Sequence, residues 1–338
     1  MSNSASGSPA GATAVAPDPV PRQPEYRRGS SARAREDRRT GYLLITPTAV
    51  IVFAMVVLPI LWTVSLAFQD VRLLNLRTTG IIGEYNLDNF TNVLTSPGFV
   101  DALVTTLIYS VAGTACAIGL GLVAALALRQ PFRGRGLVRA CMLLPYVAPV
   151  VAATFVWTTM LNPQFGVVNH YGSSLLGWDD PIAFLSSSDP ISPFGIDLHI
   201  SMSLFTVVLF EGWRSFPFAF LFLTARIQAI PDSLEEAALI DGATPSQRFR
   251  HIVLPQLLPT IAVLTVLRFI WTFNNFDDIY LLTGGGSGTQ VVAVRVYDYL
   301  INRGDIGAAA AMALVLAAIL AVLVTVYLKI FGRQEEVA

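Results

Sequence analysis

Charge is scarce in this sequence. Asp, Glu, Lys and Arg make up 13% of its 338 residues, about half the share usual in soluble domains. Lysine is almost missing: the one lysine is Lys329, and Ile330 follows it. A phosphate-cradling P-loop needs a lysine after its glycine-rich turn, followed by Ser or Thr. The chain therefore carries no such loop, and an ATP-driven step requires another chain. Cysteine is scarce too. Cys116 and Cys141 both fall in apolar runs and read as small buried hydrophobes, with neither disulfide framework nor metal spacing. His170, His199 and His251 are isolated, so no metal site is expected.

What replaces charge is apolar length. Hydrophobic residues make up 54% of the chain, and the mean hydropathy is +0.59. Residues 1–39 are the exception, rich in Ser, Ala, Pro, Gly and then Arg. Such a segment buries too little apolar surface to fold and reads as a disordered basic tail. From Gly41 to Phe68 there is no charge at all. At about 1.5 Å per residue this run crosses a hydrocarbon core of about 30 Å. It is too long for a signal-peptide core, and no small-residue cleavage site follows, so it reads as a retained first span. Five more follow: 102–128, 138–161, 201–225, 257–276 and 307–331. Spanning segments satisfy their own backbone hydrogen bonds, and long apolar runs do so as helices. The expected fold is an all-α integral membrane domain of six spans over residues 40–332, with a short tail at 333–338.

Basic residues in connections set orientation. The side of the N-terminal tail holds 16 Lys and Arg, including Arg129, Arg133, Arg135, Arg139, Arg226, Arg248 and Arg250. The other side holds 4: Arg72, Arg77, Arg295 and Arg303. The long third connection, 162–200, has no Lys or Arg but carries Asp179, Asp180, Asp189 and Asp197. Both termini are thus expected in the cytoplasm, the chain being multi-pass in a bacterial cytoplasmic membrane.

The fourth connection, within 231–259, is the most informative stretch. Ser233 with Glu236 has capping-box spacing and predicts a helix starting at Leu234. Gly242 is placed to end it. Thr244 with Gln247 repeats the box, with Pro245 at the favoured first position, and the second helix is expected to end before Pro255. The product is a helix–elbow–helix. Ala237 and Ala238 leave room for a partner to approach, and Glu235, Glu236 and Asp241 offer it carboxylates. A membrane-surface helix would favour basic residues in their place.

Glu236-Ala237-Ala238, then Gly242, then Ile252-x-Leu254-Pro255 resembles the EAA signature of permeases in binding-protein-dependent ABC importers, with the family spacing kept throughout. The resemblance runs from about residue 41 to 331. It implies that the first short helix is a cytoplasmic coupling helix docked in a cleft of a separate ATPase. On that reading Glu236, Ala237, Ala238 and Gly242 form the docking turn, while Ile252, Leu254 and Pro255 anchor it to the bundle. Asn86-Leu87-Asp88-Asn89-Phe90 and the run from Asn274 to Gly286 look like carbohydrate-type permeases related to the larger maltose-transporter subunit. The implied cargo is a sugar or related polyol. The implied partners are a second, homologous permease, an ABC ATPase dimer, an extracytoplasmic solute-binding protein and membrane lipid, with no nucleic acid. ATP and Mg would be bound by the ATPase, with no cofactor in this chain.

Ionisable groups inside spans are costly and face a partner or a cavity. Glu211 and Arg214 sit three apart and are placed to pair on one helix face. The alternative is that their helix lines the route, with Trp213 offering a sugar ring a flat face. Arg268 either pairs across to another helix or borders a water-filled cavity. Trp271, Asn274 and Asn275 suit either a sugar path, through amide hydrogen bonds and stacking, or helix packing. Gly284–Gly288 reads as a flexible turn. A stand-alone secondary transporter or channel is the alternative function, but no internal repeat marks two halves. A membrane-embedded enzyme is the third; no nucleophile–base pair or His/Glu/Asp cluster lies in the spans.

Overall fold

The computed structural model describes residues 31–75, 83–191 and 200–331, with side chains from Arg38 to Ile330. The tail at 1–30, Arg77, Asp197, His199 and the tail at 333–338 lie outside the described residues. All regular elements among the described residues are helices. The chain divides into two compact units, Met1–Pro59 and Ile60–Ala338.

The described residues of the first unit, 31–59, are helical. Residues 31–39, assigned from composition to an unfolded tail, are helical, because the helix Ser31–Val52 begins there. Ala32, Ala34, Glu36 and the arginines between them are strong helix formers, and they extend a helix already nucleated by the apolar run. The candidate span Arg38–Ala67 begins in this unit.

In the second unit four helices are long and apolar enough to cross a membrane: Phe99–Ala127, Met202–Gln228, Pro245–Phe273 and Ile306–Ile330. A further pair, Arg135–Val147 and Val150–Met160, is bent by 97°. The run 138–161, expected as one span, is therefore a pair of helices with a sharp bend between them. Ala148 is extended (φ −62, ψ 137) and Pro149 follows it; proline pushes its preceding residue out of the helical region. The fifth span also departs from expectation. The second short helix does not stop before Pro255 but runs through it. A π turn, Phe249–Val253, intervenes, and Leu254 N–H bonds back five residues to Phe249 O. Pro255, next in line, has no N–H to place, so it sits where the ladder changes register.

The second and fourth spans form the centre. Gly113, Ala117, Gly121 and Ala125 recur every fourth residue, all buried. A Cβ on Gly121 would lie 2.7 Å from Ala219 Cβ, and one on Gly212 would lie 2.3 Å from Cys116 Sγ. These are positions where one helix backbone rests on another. In lipid, such small-residue contacts replace the hydrophobic effect as the source of helix association. Cys116 is half-buried here, and Cys141 on the bent pair is not covered by other residues of the chain.

Asn89 anchors the segment before the second span. Its buried amide donates to Ala67 O (3.0 Å) and Gln69 O (2.8 Å). Gly307 packs against the same place, where a Cβ would meet Gln69 O at 2.4 Å. Thr106, in the second span, accepts Val292 N–H at 3.0 Å and so fixes the helix Val292–Tyr297.

Candidate coupling site and intramembrane charges

Only three residues separate the end of the fourth span, Gln228, from the short helix Asp232–Ile240. That helix starts two residues earlier than its sequence suggests. Pro231 is its N-cap, and no side chain caps it, so the Ser233–Glu236 box is absent. Proline sets the entry angle, while Asp232 and Glu235 in the first turn favour the positive end of the helix dipole. The other end is as expected. Gly242 lies at φ +77, its N–H bonds to Leu239 O at 3.1 Å, and Ala243 N–H bonds to Ala238 O at 2.9 Å. These two bonds make a Schellman cap. The second box is complete: Thr244 and Gln247 cap each other across Pro245.

The elbow stands clear of the rest of the chain. No residue of Asp232–Ile240 is buried; Glu236, Ala237, Asp241 and Gly242 are exposed and Ala238 is half-buried. Leu239 and Ile240 are 55% and 87% exposed, two apolar side chains that sequence reasoning did not single out. Glu235 differs, because it forms an ion pair with Arg129, just beyond the second span. Sequence reasoning used Arg129 only for orientation. Between the two elements lies a cavity of about 570 Å³, bordered by Leu126, Gln130, Asp232, Arg248 and Phe249.

The anchor is also shifted. Ile252 and Leu254 are half-buried and Pro255 is exposed. Val253 (2% exposed) and Leu257 (0%) enter the core with Ile227, Ile230 and Leu223. Their spacing of four, read within the continuous helix, is the signal that finds them.

The intramembrane charges do not pair as expected. Glu211 does not pair with Arg214 on its own helix. It pairs across to Arg268 of the fifth span, which resolves the two readings of Arg268 in favour of a partner. The same carboxylate oxygen accepts from Thr272 Oγ1 (3.0 Å) and Ser215 Oγ (3.1 Å). Gly113 lets the second span close over this group, since a Cβ there would be 3.1 Å from Glu211 Cγ. Arg214 turns to Asp278 instead, Nη2 to Oδ1 at 3.2 Å. Asp278 was not among the expected site residues. It lies in the helix Asp277–Thr283, outside the spans, and is fully buried. Burial, followed by the Glu211 carboxylate beside it, pushes its carboxyl up to about 7, against the pull of Arg214 and Asn275.

The suggested substrate-path residues separate into two kinds. Asn274 donates to Ile270 O (2.8 Å) and Asn275 to Asp278 Oδ2 (2.8 Å), so both amides serve the break between helices. Trp213 is half-buried against Trp157 and Phe210, with centroids at 5.5 and 6.0 Å. Trp271 is 46% exposed, with Phe218 edge-on at 5.1 Å and the Arg268 guanidinium 5.7 Å from its ring.

Five helices long and apolar enough to cross a membrane, six if the bent pair is one span, with an exposed elbow between Met202–Gln228 and Pro245–Phe273, define the class: a membrane permease component. Residues 117–335 match the family described as binding-protein-dependent transport system inner membrane component. The chain belongs to that family. It is 34% identical over 300 residues to the trehalose/maltose transport system permease protein MalF of Thermococcus litoralis, covering 88% of this chain and 95% of that one. Similarity to the trehalose transport system permease protein SugA of Mycobacterium tuberculosis is 31% over 296 residues, covering 88% and 90%. The fold matches a chain in the crystal structure of a bacterial ABC transporter involved in import of the acidic polysaccharide alginate. The TM-score there is 0.73 at 23% identity, covering 89% of this chain and 99% of that one.

Proposed function

We propose that this chain is a sugar-translocating permease subunit whose elbow, residues 231–255, is gripped by a separate ABC ATPase. One observation carries the coupling part. The short helix Asp232–Ile240 is held by a Schellman cap and the Arg129 ion pair, with the Thr244–Gln247 capping box starting the helix that follows, yet it buries none of its own residues. A segment so fixed and so exposed is shaped for a partner. The distribution of Lys and Arg among the connections supports placing it, and both termini, in the cytoplasm. The names of the 34% and 31% identical relatives support a saccharide such as trehalose or maltose as cargo. A second permease completes the pathway, and a solute-binding protein delivers cargo from outside. ATP and Mg2+ belong to the ATPase, and nucleotide binding shifts the permease between inward-open and outward-open states.

The test is co-expression with candidate ABC ATPases, purification through this chain, and uptake into proteoliposomes of labelled trehalose, maltose and other saccharides with the binding protein present. Co-purification and ATP-dependent uptake are expected. Uptake by the isolated chain on an ion gradient alone would support the stand-alone transporter instead.

A further inference from the structure

The elbow hangs between two helices that are themselves tied together. It follows the fourth span after three residues, and its second helix continues unbroken into the fifth. Near the elbow, Arg226 Nε donates to Gln256 O at 3.0 Å. Far along the same helices, Glu211 pairs with Arg268, and Thr272 donates to the same oxygen from one turn beyond Arg268. Two ties at two levels stop the helices from sliding or splaying independently. The fourth span also holds the next element. Arg214, three residues after Glu211, reaches Asp278 in the helix Asp277–Thr283. That helix packs its buried Ile279 and Leu282 among Tyr109, Leu204 and Val207.

The site is built for permanence. Glu211 and Asp278 are fully buried and Arg268 is 5% exposed. A glycine rather than any larger residue lies over the Glu211–Thr272 contact. Moving one partner away would leave an uncompensated buried charge, so each group needs the other to stay within reach.

We propose that Glu211 and Arg268, with Arg214 and Asp278 beside them, are positioning residues for transport: they clamp the fourth and fifth spans so that displacement of the elbow moves both spans and the helix Asp277–Thr283 as one body. This rests on the reading of the elbow as the ATPase grip.

The experiment uses the assembled permease–ATPase complex in liposomes at pH 8, with Cys116 and Cys141 changed to Ser. Spin labels are attached at Leu221→Cys in the fourth span and Val263→Cys in the fifth, both exposed on their helices. Their separation is measured without nucleotide and with ATP plus Mg2+. In the otherwise wild-type complex it should stay fixed, while in Glu211→Leu/Arg268→Met it should move by more than about 2 Å, the upper scale of helix shifts in coupled transitions. Arg268→Lys, which keeps the opposite charge, should behave as wild type. Movement in the otherwise wild-type complex, or a fixed separation in the apolar pair, would overturn the clamp. A chain that brings down no ATPase at all refutes the coupling reading instead, so the two failures are distinct.

Discussion

Arg129 and Glu235, 106 residues apart, form an ion pair that joins the end of the second span to the first turn of the elbow helix. Both side chains keep some solvent access, at 28% and 17%. Partly exposed pairs of this kind contribute at most about 1 kcal/mol. Arg129→Ala should therefore leave the melting temperature in detergent nearly unchanged. It should still loosen the elbow, lowering affinity for the ATPase by at most about fivefold, since about 1.4 kcal/mol is tenfold. Titration of purified ATPase against the immobilised permease measures this. A large fall in melting temperature would instead place the pair among the core contacts.

Gly242 holds φ at +77 with no atom within 4 Å of where a Cβ would sit. Space is therefore not the constraint there; backbone conformation is. A β-branched residue in the left-handed region costs about 1–2 kcal/mol, enough to open the cap. Gly242→Val should weaken ATPase binding more than Gly242→Asn, because Asn tolerates that region. Equal effects from the two variants would mean that side-chain bulk at the interface matters and backbone strain does not.

Ile240 is 87% exposed at the end of the elbow helix, with Leu239 beside it at 55%. Exposed apolar side chains grouped on an otherwise polar connector are covered by a partner when the assembly forms. Ile240→Asp should sharply reduce co-purification of the ATPase while the permease remains monodisperse. Retention at the wild-type level would remove Ile240 from the interface.

The large-scale fold is legible in the sequence because a membrane imposes a simple rule. Apolar runs of about 20 residues become helices, and the run 102–128 appears as Phe99–Ala127, the run 307–331 as Ile306–Ile330. The break at Ala148–Pro149 was equally present in the sequence, but hydropathy is blind to it. It is a backbone restriction, not a polarity change. The elbow was legible in its glycine turn and second capping box, since these are local hydrogen-bond patterns with fixed spacing. Its anchors were not. Val253 is buried rather than Pro255, because the π turn rotates the face of the helix presented to the core. Ion pairing was the least legible. Glu211 and Arg214 are spaced to meet, yet each found a partner more than 50 residues away, a choice set by tertiary packing that no local spacing encodes.

Gly212 and Cys116 test that packing. A Cβ at Gly212 would come within 2.3 Å of the Cys116 sulfur, so Gly212→Ala must displace that side chain or shift the spans that carry the two residues. Overpacking of this kind costs about 1–3 kcal/mol. Thermal unfolding in detergent should register the loss, and Cys116→Ala in the same chain should restore much of it by vacating the sulfur's place. If the double variant is no more stable than Gly212→Ala alone, the two spans are not in the contact described.

Asp278 makes stability depend on pH in a defined direction. Its carboxyl titrates near 7 in the folded protein against an ordinary value of 3.8, so the folded state holds this proton more tightly than the unfolded chain does. The associated stabilisation is complete below the ordinary value and is lost as pH rises through about 7, because the unfolded state releases its proton first. Asn at this position resembles the protonated carboxyl and cannot titrate. Asp278→Asn should therefore gain in melting temperature relative to wild type as pH is raised from 5 to 8, even though Arg214 loses its ionised partner. Parallel curves for the two proteins across that range would mean that Asp278 remains ionised throughout and that Arg214 holds it there.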